Sequence, residues 1–292
     1  MNATLITRRQ RLWLLLPFAL VVVPFLIWPA LFGLLASFTN YVPVQTMPLR
    51  FVGYDNYLRI IRQPEFQAAI LNILIYTTFA VSFELILGVG IAYALRRSFR
   101  GRGIVRFVLL LPWLVSPIAS GVMWHFLVSP VSGMLNYWPA LFKLPELINP
   151  LGNKSLALAT VIGMEIWRKT PLVSFLVLPG ILSIPSAQWD LAELEGMSAL
   201  VQLRHIVLPH IRLLLLTISL VLIGDSLGTA ETILILTGGG PGSSTITPGL
   251  YSYQQAFNTF DWSAGAASAW LIAGAVILVG IGYLLMARRE VV

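Results

Sequence analysis

A chain of 292 residues that is 57% hydrophobic and only 11% charged is too apolar for an ordinary soluble domain. Its net charge of +7 could suit a nucleic-acid binder, but the basic residues are spread over short connections between apolar runs. With no cysteine, the chain can build neither a disulfide framework nor a thiolate nucleophile.

A helix needs ~20 predominantly apolar residues to cross a bilayer. Six segments meet that length: 12–38, 68–95, 104–129, 155–182, 209–236 and 263–287. The expected fold class is therefore an all-α membrane protein with six transmembrane helices in a single domain, 1–292. Lys and Arg in short loops mark the cytoplasmic side. Arg8, Arg9, Arg11, Arg96, Arg97, Arg100, Arg102, Arg106, Arg204, Arg212, Arg288 and Arg289 fall on one side. Arg50, Arg59, Arg62, Lys143 and Lys154 fall on the other. Both termini, and the loop 183–208, are thus predicted to be cytoplasmic. The basic excess is a topology signal.

Segment one follows three arginines as a signal sequence would, but its apolar run is too long for one and no clear cleavage site ends it. It reads as an uncleaved span, with Pro17, Pro24 and Pro29 tolerated as kinks because neighbouring helices satisfy the freed carbonyls. The first outer loop carries Phe51-Val52-Gly53-Tyr54-Asp55-Asn56-Tyr57, a glycine turn leading into an aromatic interfacial helix. The connection 96–106 is short and arginine-dense. Segment three contains Leu111-Pro112-Trp113, Ser116-Pro117, Gly121, Trp124 and His125; this lone histidine reads as a structural group. The second outer loop, 130–153, carries Gly133, Asn136, Pro145 and Pro150 and reads as irregular.

Between segments four and five lies the polar stretch Pro185–Pro209, predicted to be two short helices broken at Gly196. Read by itself it could be an amphipathic helix pair on the lipid headgroups. After segment five comes Thr237-Gly238-Gly239-Gly240-Pro241. A glycine-rich loop can cradle phosphate, but this one has no lysine and lies on the outer side, so it is not a P-loop.

Ionisable side chains inside spans are expensive and point to function by default. Here they are Glu84, Glu165, Arg168, Lys169, Asp225 and Glu231. The bland reading is acid–base pairing between helices, and Glu231 is placed at the outer interface. Glu165 stands at i+3 to Arg168 and i+4 to Lys169 and is expected to neutralise one of them, because successive residues point ~100° apart. Asp225 in segment five is the acid available to the other, or else leaves that cation unmatched. Leu222, Asp225, Ser226 and Thr229 share one face by i, i+3, i+4, i+7 spacing, and its Asp-Ser-Thr surface suits hydroxyl groups.

Asp190-Leu191-Ala192, Gly196 and Ile206-Val207-Leu208-Pro209 resemble the EAA…G…I-x-LP loop of the membrane subunits of ATP-binding-cassette importers. Phe51–Tyr57, Leu111–Trp113, Trp167–Pro171 and Thr237–Pro241 resemble further motifs of carbohydrate-type permeases, in the same order. The resemblance runs almost the full length and is closest to the first, maltose/glycerol-phosphate-type permease partner. It implies a type I ABC importer permease fold with both termini cytoplasmic, alternating access, and no catalytic residue or metal site. Cofactors are implied to be none in this chain, with ATP and Mg on the partner ATPase. Implied partners are a second permease subunit in a heterodimer, two ATPase subunits, an extracytoplasmic solute-binding protein and membrane lipid, with no nucleic acid. The implied localisation is the bacterial cytoplasmic (inner) membrane. Carried over residue by residue, the resemblance places ATPase docking on Asp190, Leu191, Ala192, Glu195, Gly196 and Arg204. It places substrate binding on Arg168, Lys169 and Leu172 of one wall and Leu222, Asp225, Ser226 and Thr229 of the other. Asp190-Leu191 stands where the family has Glu-Ala, and Glu195 where Asp precedes the glycine, so charge is kept at both positions.

Two other classes fit part of the pattern. A secondary transporter or channel acting without an ATPase would use the intramembrane acids as ion relays, but paired broken helices in two repeats are not apparent in the sequence. A membrane enzyme using Glu165, Asp225 or His125 lacks any nucleophile–base spacing.

Overall fold

The computed structural model describes residues 17, 18, 20–43, 48–130, 133, 134, 137 and 149–291. Arg8, Arg9, Arg11, Asn136, Lys143 and Pro145, and residues 12–16 of the first expected span, lie outside the described residues. Among the described residues the chain is helical, with one isolated antiparallel bridge, Thr39 to Phe51. Its packing divides into two units, Met1–Arg62 with Ser252–Leu271, and Gln63–Tyr251 with Ile272–Val292.

In the smaller unit, α1 (Leu20–Ser37) carries Pro24 and Pro29, each lacking the N–H an α-helix requires. The ladder adapts by widening to a π-helical turn over Val23–Ile27, which keeps the helix continuous. Where α1 ends, buried Asn56 on α2 (Asp55–Arg62) donates from Nδ2 to the carbonyls of Ser37 and Thr39, both at 2.8 Å. Tyr57 Oη meets Ser37 Oγ at 2.7 Å, and Phe38 packs among Phe51, Tyr54 and Tyr57. The aromatic motif at 51–57 is thus a clasp on the end of α1.

The larger unit is built on α3 (Pro64–Leu95), which packs along much of its length against α6 (Lys154–Leu182). They come closest at Gly88, where a Cβ would stand 2.5 Å from Val173 Cγ1. Asn153 caps α6, its Oδ1 accepting from the N–H groups of Ser155 and Leu156 at 3.0 and 3.3 Å. Val81, Val89 and Leu95 of α3 join Val173, Val177 and Ile181 of α6 in one core with Val207, Ile211, Ile218 and Leu222.

Two expected spans are not single helices. Segment 104–129 divides into α4 (Arg102–Leu114) and α5 (Pro117–Val128), bent by 92°. Pro117 forces the residue before it out of the helical region; Ser116 is extended, and its Oγ caps α5 through Ala119 N at 3.2 Å. Segment 209–236 divides into α9 (Arg212–Leu227) and α10 (Glu231–Leu236), separated by Gly228–Ala230. Between α6 and α9 lie α7 (Ser186–Leu194), bent 88° from α6, and α8 (Ala199–His210), bent 79° from α9. The last helices are α11 (Pro248–Phe257) and α12 (Trp262–Val291). Among the described residues, α1, α3 and α12 are each long and apolar enough to span a bilayer, and the count reaches six when each bent pair is one span.

Candidate functional site

Glu165, Arg168 and Lys169 lie one turn apart on α6, and their side chains meet inside the larger unit. The Glu165 carboxylate, fully buried, accepts from Arg168 Nη2 at 2.7 Å and Nε at 3.2 Å. It also takes Lys169 Nζ at 2.8 Å. The expectation that it would serve only one cation is therefore corrected: long, flexible basic side chains bend back onto one acid from both the i+3 and i+4 positions. Lys169, itself buried, also pairs with Asp225 on α9. Two cations and two carboxylates thus neutralise one another at membrane depth, which offsets the desolvation that buried charge requires. Glu84 differs from expectation too. It is fully buried on α3, and neither carboxyl oxygen has a hydrogen-bond partner among the described residues.

Beside this cluster opens a cavity of about 380 Å³. Pro117 of α5, Arg168 of α6, Asp225 of α9, Thr229 in the α9–α10 break, and Glu231 and Thr232 of α10 line it. Both helix breaks contribute to its wall, as expected for irregular backbone at membrane depth, which is tolerated where it lines a polar space. A bond from Thr247 Oγ1 to the Thr229 carbonyl at 2.8 Å fixes the break. Asp225 reaches into the space with 62% of its side chain exposed, whereas Arg168 is mostly covered.

Of the residues expected to meet substrate, Arg168, Asp225 and Thr229 come together at this cavity. Lys169 lies behind it, Leu222 sits in the apolar core, and Ser226 is fully buried. Leu172 is half-buried and does not line the cavity. The shared helical face assumed for 222–229 ends at Leu227, so Thr229 is displaced from it. Thr232 was not singled out from the sequence, Glu231 was set at the outer interface, and Pro117 was noted without a role at a site. His125 accepts a structural part, its Nδ1 lying 3.1 Å from the Leu236 carbonyl on α10.

The stretch expected to dock an ATPase is the α7–α8 pair. Gly196 takes φ +63°, and its N–H reaches the Glu193 carbonyl while Met197 N–H reaches that of Ala192. This is a Schellman closure, in which only glycine takes the left-handed position without strain. Asp190, Leu191, Glu195, Gly196 and Arg204 are exposed, and Ala192 is buried beneath them. The structure adds Leu194 and Leu200, 86% and 75% exposed, an apolar surface that calls for a cover.

A bundle of bent helices around a polar cavity beside a charge-matched cluster, with an exposed helix pair, defines a multi-pass membrane transport component. The chain belongs to the family described as binding-protein-dependent transport system inner membrane component, whose pattern matches residues 84–289. It is 30% identical over 285 residues to the probable ABC transporter permease protein y4oQ of Sinorhizobium fredii, covering 95% of this chain and 92% of that one. It is 29% identical over 278 residues to the trehalose/maltose transport system permease protein MalF of Thermococcus litoralis, covering 94% and 92%. The fold matches a chain of the bacterial alginate ABC transporter, crystallised in complex with an alginate pentasaccharide-bound periplasmic protein. That match has a TM-score of 0.82 over 97% of this chain and 96% of that one, at 20% identity. The chain is therefore a transport subunit of type I ABC permease fold and not an enzyme. Family membership also sets aside the lone secondary transporter.

Proposed function

We propose that the chain is one half of the pore of an ATP-driven importer that carries a neutral sugar or polyol. It sits in the bacterial cytoplasmic membrane with both termini and the α7–α8 pair inside. It pairs with a second permease, two ATPase subunits that hold ATP and Mg, and an extracytoplasmic solute-binding protein. Asp190, Glu195, Gly196 and Arg204, with exposed Leu191, Leu194 and Leu200 and Ala192 beneath, form the seat for one ATPase. ATP-driven closure moves this seat, and the pore alternates between outward-open and inward-open states that hold cargo with different affinity.

The arrangement of charge carries the substrate reading. Lys169 is held between Glu165 and Asp225, and Arg168 is bound twice by Glu165, so both cations at this site are already matched. What the cavity offers is Asp225, Thr229, Glu231 and Thr232, acceptors and hydroxyls suited to sugar OH groups and repulsive to a carboxylate, sulfonate or phosphate. A thermal-shift screen of the solute-binding protein would supply the cargo, followed by uptake into proteoliposomes by the whole importer. Neutral sugars or polyols are expected to be carried, and Lys169→Met to weaken that uptake several-fold. An anionic cargo whose uptake Lys169→Met abolishes would overturn the reading, and unchanged uptake would remove Lys169 from the site.

A further inference from the structure

The α7–α8 pair hangs from the bundle by two elbows, of 88° and 79°, and a push on such a pair would be lost in them unless something else tied it down. One buried side chain does so. Gln202 on α8, 6% exposed, accepts through Oε1 from Tyr93 Oη at 2.6 Å and from Arg96 Nη2 at 3.1 Å. Its Nε2 donates to the Met197 carbonyl at 2.9 Å, directly after the glycine that closes α7. Arg96, at the end of α3, lies over the rings of Tyr93 and of Trp189 on α7, 3.7 and 4.5 Å from their centroids. The end of α3 is thus fastened to both exposed helices and to the turn between them.

We propose that Gln202, with Tyr93 and Arg96, is the positioning link that carries movement of the ATPase seat into the pore. The link rests on the importer reading above. From Arg96 the route runs along α3 to Gly88, where α3 and α6 touch too closely to slide past one another. Val173, the residue Gly88 meets, stands one turn beyond Lys169 on α6. Every step is a packed or hydrogen-bonded contact, and Gln202 is buried, so it acts inside the chain and not by touching the ATPase.

The chain has no cysteine, so thiols can be introduced singly into an importer whose other subunits are cysteine-free. In proteoliposomes, Gln202→Leu should retain ATP hydrolysis while cargo moved per ATP falls about five- to tenfold, within the range for a link in a coupling network. Gln202→Glu, which keeps acceptors toward Tyr93 and Arg96 but loses the donation to Met197, should restore part of the loss, and Tyr93→Phe should be intermediate. Tyr93→Cys with Gln202→Cys should be uncoupled, and a short bifunctional thiol reagent joining them should bring coupling back. Full coupling in Gln202→Leu overturns the link, as does a joined pair that stays uncoupled or stops transport. Should Gln202→Leu not assemble, full coupling in Tyr93→Phe overturns it instead. If ATP hydrolysis by the unaltered importer ignores cargo-loaded binding protein, the importer reading has failed and not the link.

Discussion

Replacing Glu165 by Gln should unsettle this protein more than any other single change at the cavity. The amide keeps the shape but removes the one carboxylate that holds Arg168 by two contacts and Lys169 by a third. Lys169 keeps Asp225, whereas Arg168, with a side chain 11% exposed, is left as a buried charge without its acid. Breaking a buried pair from one side costs about 3–5 kcal/mol. Asp225→Asn is the matched control. That side chain is 62% exposed, Lys169 keeps Glu165, and the loss should be held to about 1 kcal/mol by solvent screening. In lipid nanodiscs, Glu165→Gln is expected to lower the apparent Tm by on the order of 10 °C, and Asp225→Asn by a small fraction of that. Removing both partners, Glu165→Leu with Arg168→Leu, should recover part of the loss, since an apolar pair replaces an ion pair at little penalty. Equal stability of Glu165→Gln and Asp225→Asn would refute the argument, because exposure would then not govern the worth of each acid.

Gly196→Pro removes the N–H that reaches Glu193 and forbids φ +63°, so the protein should stay in the membrane while cargo-stimulated ATP hydrolysis is lost; Gly196→Ala, strained by about 1–2 kcal/mol, should lower it partly. Undiminished stimulation in the proline variant would disprove docking through this turn. Gly88→Ala drives a methyl against Val173 and should destabilise by about 1–3 kcal/mol, read by thermal unfolding and relieved by Val173→Ala. No relief from the second change would place the strain elsewhere.

Span number was legible because membrane thickness imposes a length that composition alone satisfies, as α1, α3 and α12 illustrate. Direction within a span was not. Leu114 and Ile118 are equally apolar on either side of the break at Ser116, so hydropathy runs through a 92° bend without a mark. Pro117 was visible, but proline is tolerated in membrane helices, so its presence did not mark a break. Charge pairing was half legible for the same kind of reason. Spacing brought Glu165 within reach of both cations, yet only side-chain conformations show one carboxylate taking both. Periodicity likewise grouped Leu222, Asp225 and Ser226 on a face and could not say that Leu222 and Ser226 are covered while Asp225 is open.

The two least legible features, the bends and the double pairing, have one physical consequence between them. A straight bundle would present only side chains to the pore, each hydrogen-bonded or apolar. Breaks at Ser116 and at Gly228–Ala230 open a polar space, and the Thr247 bond to the Thr229 carbonyl keeps one of them from collapsing. Matched charges beside that space remove the long-range pull a free cation would exert, so a neutral cargo there would rely on short-range hydrogen bonds. A pore has to release what it admits. In the function proposed above, weak, multiple hydroxyl contacts at Asp225, Thr229, Glu231 and Thr232 would allow that, and selection would fall to the solute-binding protein.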